Sequence, residues 1–256
     1  MFITFIAATR AAPDEFWNSS PLGLSIKRLL SPRVLREDDV ARLPVRYSSA
    51  IAFRNNSGLP EIFNKGIDHY LNLAHSQSRD AASKDNPDLR SEQILVFCHD
   101  DIWIDDSQIG EHLISAIGHF DIAGVAGCET RVSNQAAWSF QDPGCSVPVA
   151  NASGMIAHGT HPSGEISYYG PSCRPCELLD GVFIAVRLNT FQRYPQLRFD
   201  CQFSFHFYDI DFCRTALLMG LRMGTWPIAI THSSKGSYKG ALWQEAYESY
   251  IAKWGE

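Results

Sequence analysis

Residues 94–98, Ile-Leu-Val-Phe-Cys, form an apolar run that stops on His99, Asp100 and Asp101. Such a run reads as a strand buried on both faces of a sheet. It delivers an imidazole and two carboxylates to one point at its C-terminal edge, where ligands sit in open α/β sheets. Hard oxygen and nitrogen ligands gathered there suit a divalent cation holding a phosphorylated substrate; a solvated Asp-rich turn is the plainer alternative. Two other places carry similar residue types. Tyr208-Asp209-Ile210-Asp211 opens a helical pattern, and His232 closes a strand pattern. The aspartates also suit the free N–H groups of a helix start, and His232 also suits a backbone-bonded strand end. Cys173 and Cys176 form a C-x-x-C in a Pro/Gly-rich loop. A structural zinc needs two further ligands, and Cys128, Cys145, His158 and His161 match no zinc spacing, so reduced thiols are the expectation.

The elements that must position these groups follow from periodicity. Residues 2–8 predict a strand, 21–30 a helix with Pro21 in its first turn, and 45–53 a second strand ending at Arg54-Asn55-Asn56-Ser57. Residues 59–71 have helical spacing, and 76–91 read as a polar surface loop. After the strand ending at Cys98 come an amphipathic helix at 108–120 and a strand at 121–127. From Cys128 to Cys176 the character changes to Gly, Pro, Ser and aromatics with weak periodicity, which points to functional or short-stranded structure. A strand at 177–187, a helix at 209–220 with Asp at its start and Gly220 at its end, and a last strand at 222–232 follow. An amphipathic helix at 241–254 is expected to dock on its own domain. A membrane-surface role fits less well, because its polar face carries two Glu and one Lys. Strands alternating with helices imply a parallel sheet covered on both faces, and no linker divides residues 1–256.

Composition narrows the classes. With 256 residues the chain is long enough for a proper core. The formal charge of −6 argues against a nucleic-acid binder, which would show a basic stripe. It leaves room for a nucleotide ligand, because a bound cation offsets phosphates locally. No apolar run approaches the ~18 residues of a membrane helix. The N-terminal stretch lacks the basic leader of a signal peptide, so a cytoplasmic protein is expected.

Taken in order, Ala8-Thr9-Arg10 after the first strand, Asn64-Lys65-Gly66, His99-Asp100-Asp101, Tyr208-Asp209-Ile210-Asp211 and His232 resemble the family-2 glycosyltransferases of the GT-A fold. Within them the pattern is similar to a bacterial glycosyltransferase-like branch with a His-x-Asp metal motif. The resemblance spans nearly the whole chain. It implies a Rossmann-like, mostly parallel sheet with a small antiparallel extension, residues 1–127 forming a nucleotide-binding half and 128–256 an acceptor and catalytic half. It further implies that Asp101 and His232 bind Mn²⁺ or Mg²⁺ bridging a donor diphosphate, and that Asp209 is the catalytic base. By the same likeness Ala8, Thr9, Arg10, Asn55, Asn64, Lys65, His99 and Asp100 lie along the nucleotide, and Asp180-Gly181 lies beneath the donor sugar and acceptor. Arg54-Asn55-Asn56 stand where the family usually has an acidic residue after the second strand, and His99 replaces the usual first carboxylate.

The implied activity is inverting transfer of a sugar from a nucleoside-diphosphate sugar to a saccharide or lipid-linked acceptor, in bacterial surface-polysaccharide or lipopolysaccharide assembly, with peripheral association at the inner membrane face allowed. The residues suit that chemistry: a cation stabilises the departing diphosphate, a carboxylate removes the acceptor proton, and the helix start behind Asp209 favours its ionised form. Lys65 also suits a solvated helix position. Trp103, Trp138, Tyr168 and Tyr169 suit either an acceptor groove or ordinary packing. Two other readings compete. A nucleotidyltransferase would ordinarily have a Gly-rich basic loop after the first strand, which Ala7-Ala8-Thr9-Arg10-Ala11-Ala12-Pro13 lacks. A non-catalytic carbohydrate- or zinc-binding module would account for the missing first carboxylate and the C-x-x-C.

Overall fold

Strand β1 (Phe2–Ala8) is buried along nearly its whole length, and so is β3 (Gln93–Cys98). A strand with no solvent face must be covered on both sides, and two glycines show by what. In helix α3 (Leu59–Asp80), a Cβ on Gly66 would stand 2.8 Å from Ile6 Cδ1. In helix α4 (Ile109–His119), one on Gly110 would stand 2.6 Å from the Tyr47 hydroxyl. Tyr47 is paired with Ile3 and stacks with Phe5, on the face opposite Ile6. The helices therefore sandwich the sheet. The computed structural model describes residues 1–31, 45–80, 93–234 and 239–255.

The remaining elements are α1 (Pro13–Ser19), α2 (Pro21–Leu30), β2 (Arg46–Ala52), β4 (Ile102–Ile104), β5 (Ile122–Gly124), β6 (Ala126–Cys128), β7 (Ala152–His158), β8 (Glu165–Gly170), β9 (Leu178–Leu179), β10 (Phe183–Arg187), α5 (Leu188–Arg193), α6 (Tyr208–Leu218), β11 (Met223–Thr225), β12 (Ile230–His232) and α7 (Ala241–Trp254). They build two sheets. The first has the order β11-β5-β10-β3-β1-β2. Its pairs are parallel except those of β10, which runs antiparallel to both β3 and β5. The second has the order β4-β12-β7-β6-β9, with β8 along the other side of β7, and only its β12–β7 pair is parallel. The architecture is thus α/β with a mixed sheet flanked by helices.

Several expectations change on contact with this fold. The strands expected at 121–127, 177–187 and 222–232 are each two short strands in different sheets, broken at Val125, at 180–182 and at 226–229. A buried apolar run does not say which sheet it pairs with, so periodicity alone joins them. The small antiparallel extension is a second sheet as wide in strand number as the first. The two sequence halves interleave, since β10 and β11 complete the first sheet and β4 joins the second. Helix α3 runs on to Asp80, beyond the expected loop start at Ser76, and the rest of that loop, from residue 81, lies outside the described residues. The region 128–176 contains the β7–β8 hairpin, and short helices at Pro13–Ser19 and Leu188–Arg193 went unmarked by any strong period.

Helix α7 docks on its own domain. Trp243 and Tyr250 are buried, and Phe207, just ahead of α6, packs against Trp243 and Tyr250 with ring centroids 5.3 Å and 5.4 Å away. Phe207 has φ of 65°, a left-handed conformation that is costly for a bulky residue. Burial of its ring against α7 holds it there. Among the described residues, no helix is long and apolar enough to cross a membrane.

Candidate metal centre

Two of the sheet-to-sheet crossings carry the residues whose types suit chemistry. Between β3 and β4 the chain leaves the first sheet through His99, Asp100 and Asp101; between β9 and β10 it returns through Asp180, Gly181 and Val182. The crossings are tied together, because the His99 N–H donates to the Val182 carbonyl at 3.2 Å. The end of β12 is tied to the first of them, with Ser233 N–H donating to the Asp101 carbonyl at 2.9 Å.

His99, Asp101 and His232 bring their ligand atoms within 4.8 Å of one another, and they are the metal-type group found among the described residues. His232 Nε2 lies 3.1 Å from Asp101 Oδ1, and His99 Nδ1 lies 3.9 Å from the same oxygen. The electrostatics set the protonation pattern. Burial pushes the His99 pKa down, and the neighbouring His232 adds to that. Burial pulls His232 down too, but its hydrogen bond and charge contact with Asp101 outweigh this and raise it. Asp101 lies below the ordinary carboxylate range: burial raises it, and the two imidazoles, His232 foremost, outweigh that. His99 is the neutral imidazole of the pair, the form a metal ligand needs. Two nitrogens and a carboxylate with a neutral lone pair turned inward fit a divalent transition metal.

Beside this group stand two carboxylates. Asp209 Oδ2 accepts the Gly181 N–H at 3.0 Å. Asp180 accepts the Trp138 indole N–H at 2.8 Å through Oδ2 and the Val182 N–H at 2.8 Å through Oδ1. Burial, with the Asp180 charge behind it, pushes the Asp209 carboxyl up to about 7, against the pull of the Gly181 and α6 N–H groups. The helix start does favour the ionised form of Asp209, as expected, but desolvation outweighs that pull here. The Asp180 charge also acts on His99 and His232, and Asp101 and Asp180 both act on Tyr208. Positions 101, 180, 209 and 232 thus share one electrostatic neighbourhood.

Tyr208 is the motif residue to which sequence reasoning gave no role. Its hydroxyl donates to the Gly181 carbonyl at 2.9 Å and lies 2.9 Å from His99 Nε2. Gly181 permits this approach, because a Cβ there would stand 2.4 Å from the Tyr208 hydroxyl and 2.8 Å from Asp209 Cβ. The signal was its place directly before Asp209. Around the rim, half-exposed Phe205 stacks on His99 at 5.9 Å, and Tyr169 meets Trp138 edge-on at 4.9 Å.

The other expected site residues have structural engagements. Asn64 exchanges two hydrogen bonds with the Phe199 backbone, and exposed Lys65 pairs with Glu61 at 2.6 Å. Thr9 Oγ1 accepts the Ala11 N–H, and Asn55 closes a turn on Ser57. Ala8 ends β1, and Arg10 is exposed. Asp100 stays outside the three-ligand group and presents its carbonyl to the Leu22 N–H. Asp211 neither caps α6 nor faces the site; it accepts from Trp254 Nε1 at 2.9 Å and pairs with Lys253 at 2.6 Å. All seven cysteines are free thiols, and Cys173 and Cys176 join no metal-type group among the described residues. A cleft of about 230 Å³ lined by Asp105, Met155, Ala157, Ile166 and Ile230 borders β12 away from these groups; Asp105 there accepts from Thr231, which alternates with His232 along the strand.

No protein-family model matches this chain, and no curated protein matches it. Among solved structures, that of A197 from STIV is similar over 94% of this chain and 98% of that chain, with a TM-score of 0.45 and 8% sequence identity. A likeness at that level carries no argument about what either protein does.

Proposed function

We infer that the protein is a metal-dependent glycosyltransferase that moves a sugar from a nucleoside-diphosphate donor to a hydroxyl acceptor with inversion. The observation that carries this reading is the pairing, where the chain crosses between the two sheets, of a His99–Asp101–His232 ligand set with an Asp209 carboxyl poised near neutrality. A bound divalent cation would supply Lewis-acid stabilisation of the departing diphosphate, held by Asp101, His232 and His99. Asp209 takes the acceptor hydroxyl proton as the acceptor oxygen bonds to the anomeric carbon and the bond to the diphosphate breaks. A base with a pKa near the working pH is the efficient choice for that step. Burial first, and then the charge of Asp180, itself fixed by Trp138 and Val182, keep Asp209 basic. Exposed Phe205 and half-buried Tyr169 offer faces on which a base or sugar ring stacks. The α/β architecture is compatible with the GT-A fold that the motif resemblance implies, and that resemblance alone points to surface-polysaccharide assembly.

The test is nucleoside-diphosphate release from a panel of donor sugars with Mn²⁺ and with Mg²⁺. Release that falls at least about a hundredfold in Asp209→Asn and Asp101→Ala supports the assignment. Unchanged turnover in either variant overturns it, and pyrophosphate release from a nucleoside triphosphate replaces it with nucleotidyl transfer.

A further inference from the structure

His99 sits where the family pattern has a carboxylate, and its two ring nitrogens face different partners. Nε2 is 2.9 Å from the Tyr208 hydroxyl oxygen, whereas Nδ1 is 3.9 Å from Asp101 Oδ1. The Tyr208 hydroxyl has one hydrogen, and the buried Gly181 carbonyl takes it at 2.9 Å. Turning that hydrogen toward His99 would strip a buried carbonyl of its side-chain donor, a cost of about 1–3 kcal/mol where nothing replaces it. The hydroxyl oxygen must therefore accept from His99, which places the imidazole proton on Nε2 and the lone pair on Nδ1. At 3.9 Å from Asp101, Nδ1 is beyond hydrogen-bond reach, so no proton is shared there. Gly181 completes the device, because any side chain at that position would displace Tyr208.

We propose that Tyr208 is a positioning residue that locks His99 as its Nε2–H tautomer, making Nδ1 a third metal ligand and the centre a two-histidine, one-carboxylate site. This rests on the metal-site reading above, which already counts His99 among the ligands, and deepens it by assigning the contact that fixes which His99 nitrogen is free to bind. The consequence is selectivity. Two imidazoles and one carboxylate favour Mn²⁺, Fe²⁺, Co²⁺ or Zn²⁺, whereas Mg²⁺ prefers oxygen ligands throughout. Support of this kind, in which a ligating histidine donates its other N–H to a fixed oxygen, is typically worth about 10–100-fold in metal affinity.

The experiment has two arms. ¹⁵N-imidazole NMR of the metal-free protein reads the His99 tautomer, assigned with His99→Asn; titration with Co²⁺ and with Mg²⁺ alone reads affinity. The expected results are an Nε2–H tautomer in the wild type, lost in Tyr208→Phe, and Co²⁺ binding weakened about 10–100-fold in that variant and in His99→Asn. Mg²⁺ is expected to bind more weakly than Co²⁺. His99→Asn leaves the Tyr208–Gly181 bond in place, so it tests the ligand role without disturbing that contact. An Nδ1–H tautomer, or equal Co²⁺ affinity in wild type and both variants, overturns the proposal while leaving a metal site standing. Wild-type protein that binds neither cation at millimolar concentration overturns the parent reading, and this inference with it.

Discussion

Asp209 answers to two opposed demands. As the base proposed above it would have to lose its proton near the working pH, yet burial and Asp180 hold its pKa up to about 7. An aspartate in the unfolded chain ionises near 4. Between about pH 4 and pH 7 the native state therefore keeps a proton the unfolded state has released, and stability falls as pH rises through that window. The loss is at most on the order of 4 kcal/mol, and smaller to the extent that solvent reaches the carboxyl. Asp209→Asn keeps an acceptor for the Gly181 N–H and removes the titration. Its melting temperature should exceed that of the wild type at pH 8 and converge with it near pH 4, while transfer activity is lost. Thermal melts across that range check the sign: no gain at pH 8 contradicts the environment described for Asp209. Trading stability for a strained catalytic group is a common pattern in active sites.

At the scale of elements, the fold was legible where an element keeps one environment along its length. The strand at 2–8 and the helices at 21–30 and 241–254 agree with expectation because each keeps the same kind of surroundings from end to end. The strands that change sheets were not legible as pairs. Val125 sits in an unbroken apolar run, and the bends at Asp180-Gly181 and Trp226-Pro227 carry the only punctuation. The site was legible in its acids and terminal histidine, whose types announce chemistry. It was not legible in Tyr208, whose role depends on a contact with Gly181 that only the crossing creates. The seating of α6 is equally a matter of contacts. Lys253 of α7 lies 2.6 Å from Asp211 and 2.7 Å from Asp200, and Trp254 donates to the same Asp211 oxygen as Lys253. Lys253→Met leaves a buried aspartate short of its counter-charge, because Asp211 Oδ2 already has no partner. The expected cost is about 1–3 kcal/mol, with partial solvent exposure of Lys253 discounting the larger figure for a fully buried pair. Urea unfolding checks it, and an unchanged midpoint contradicts the clamp.

Across the whole molecule, the ligand group draws on residues more than a hundred positions apart, from the end of β3 to the end of β12. The unfolded chain does not hold such a set together, so a cation binds the native state preferentially and stabilises it. At a hundred times its dissociation constant the gain is about 2.7 kcal/mol, equivalent to roughly 5–10 °C in a domain of this size. Mn²⁺ should raise the melting temperature of the wild type by that amount and that of Asp101→Ala by much less; equal shifts would place binding elsewhere. The two-sheet design brings the proposed cation ligands and the proposed base to one locus, since the crossings of β3 to β4 and β9 to β10 are joined by the hydrogen bond from His99 to Val182.

The most direct measurement is anomalous diffraction at the manganese edge from crystals soaked with Mn²⁺ and a nucleoside diphosphate. One strong peak is expected at His99, Asp101 and His232, with the diphosphate bound beside it. A peak ligated by other residues, or a diphosphate bound away from these three side chains, would contradict it.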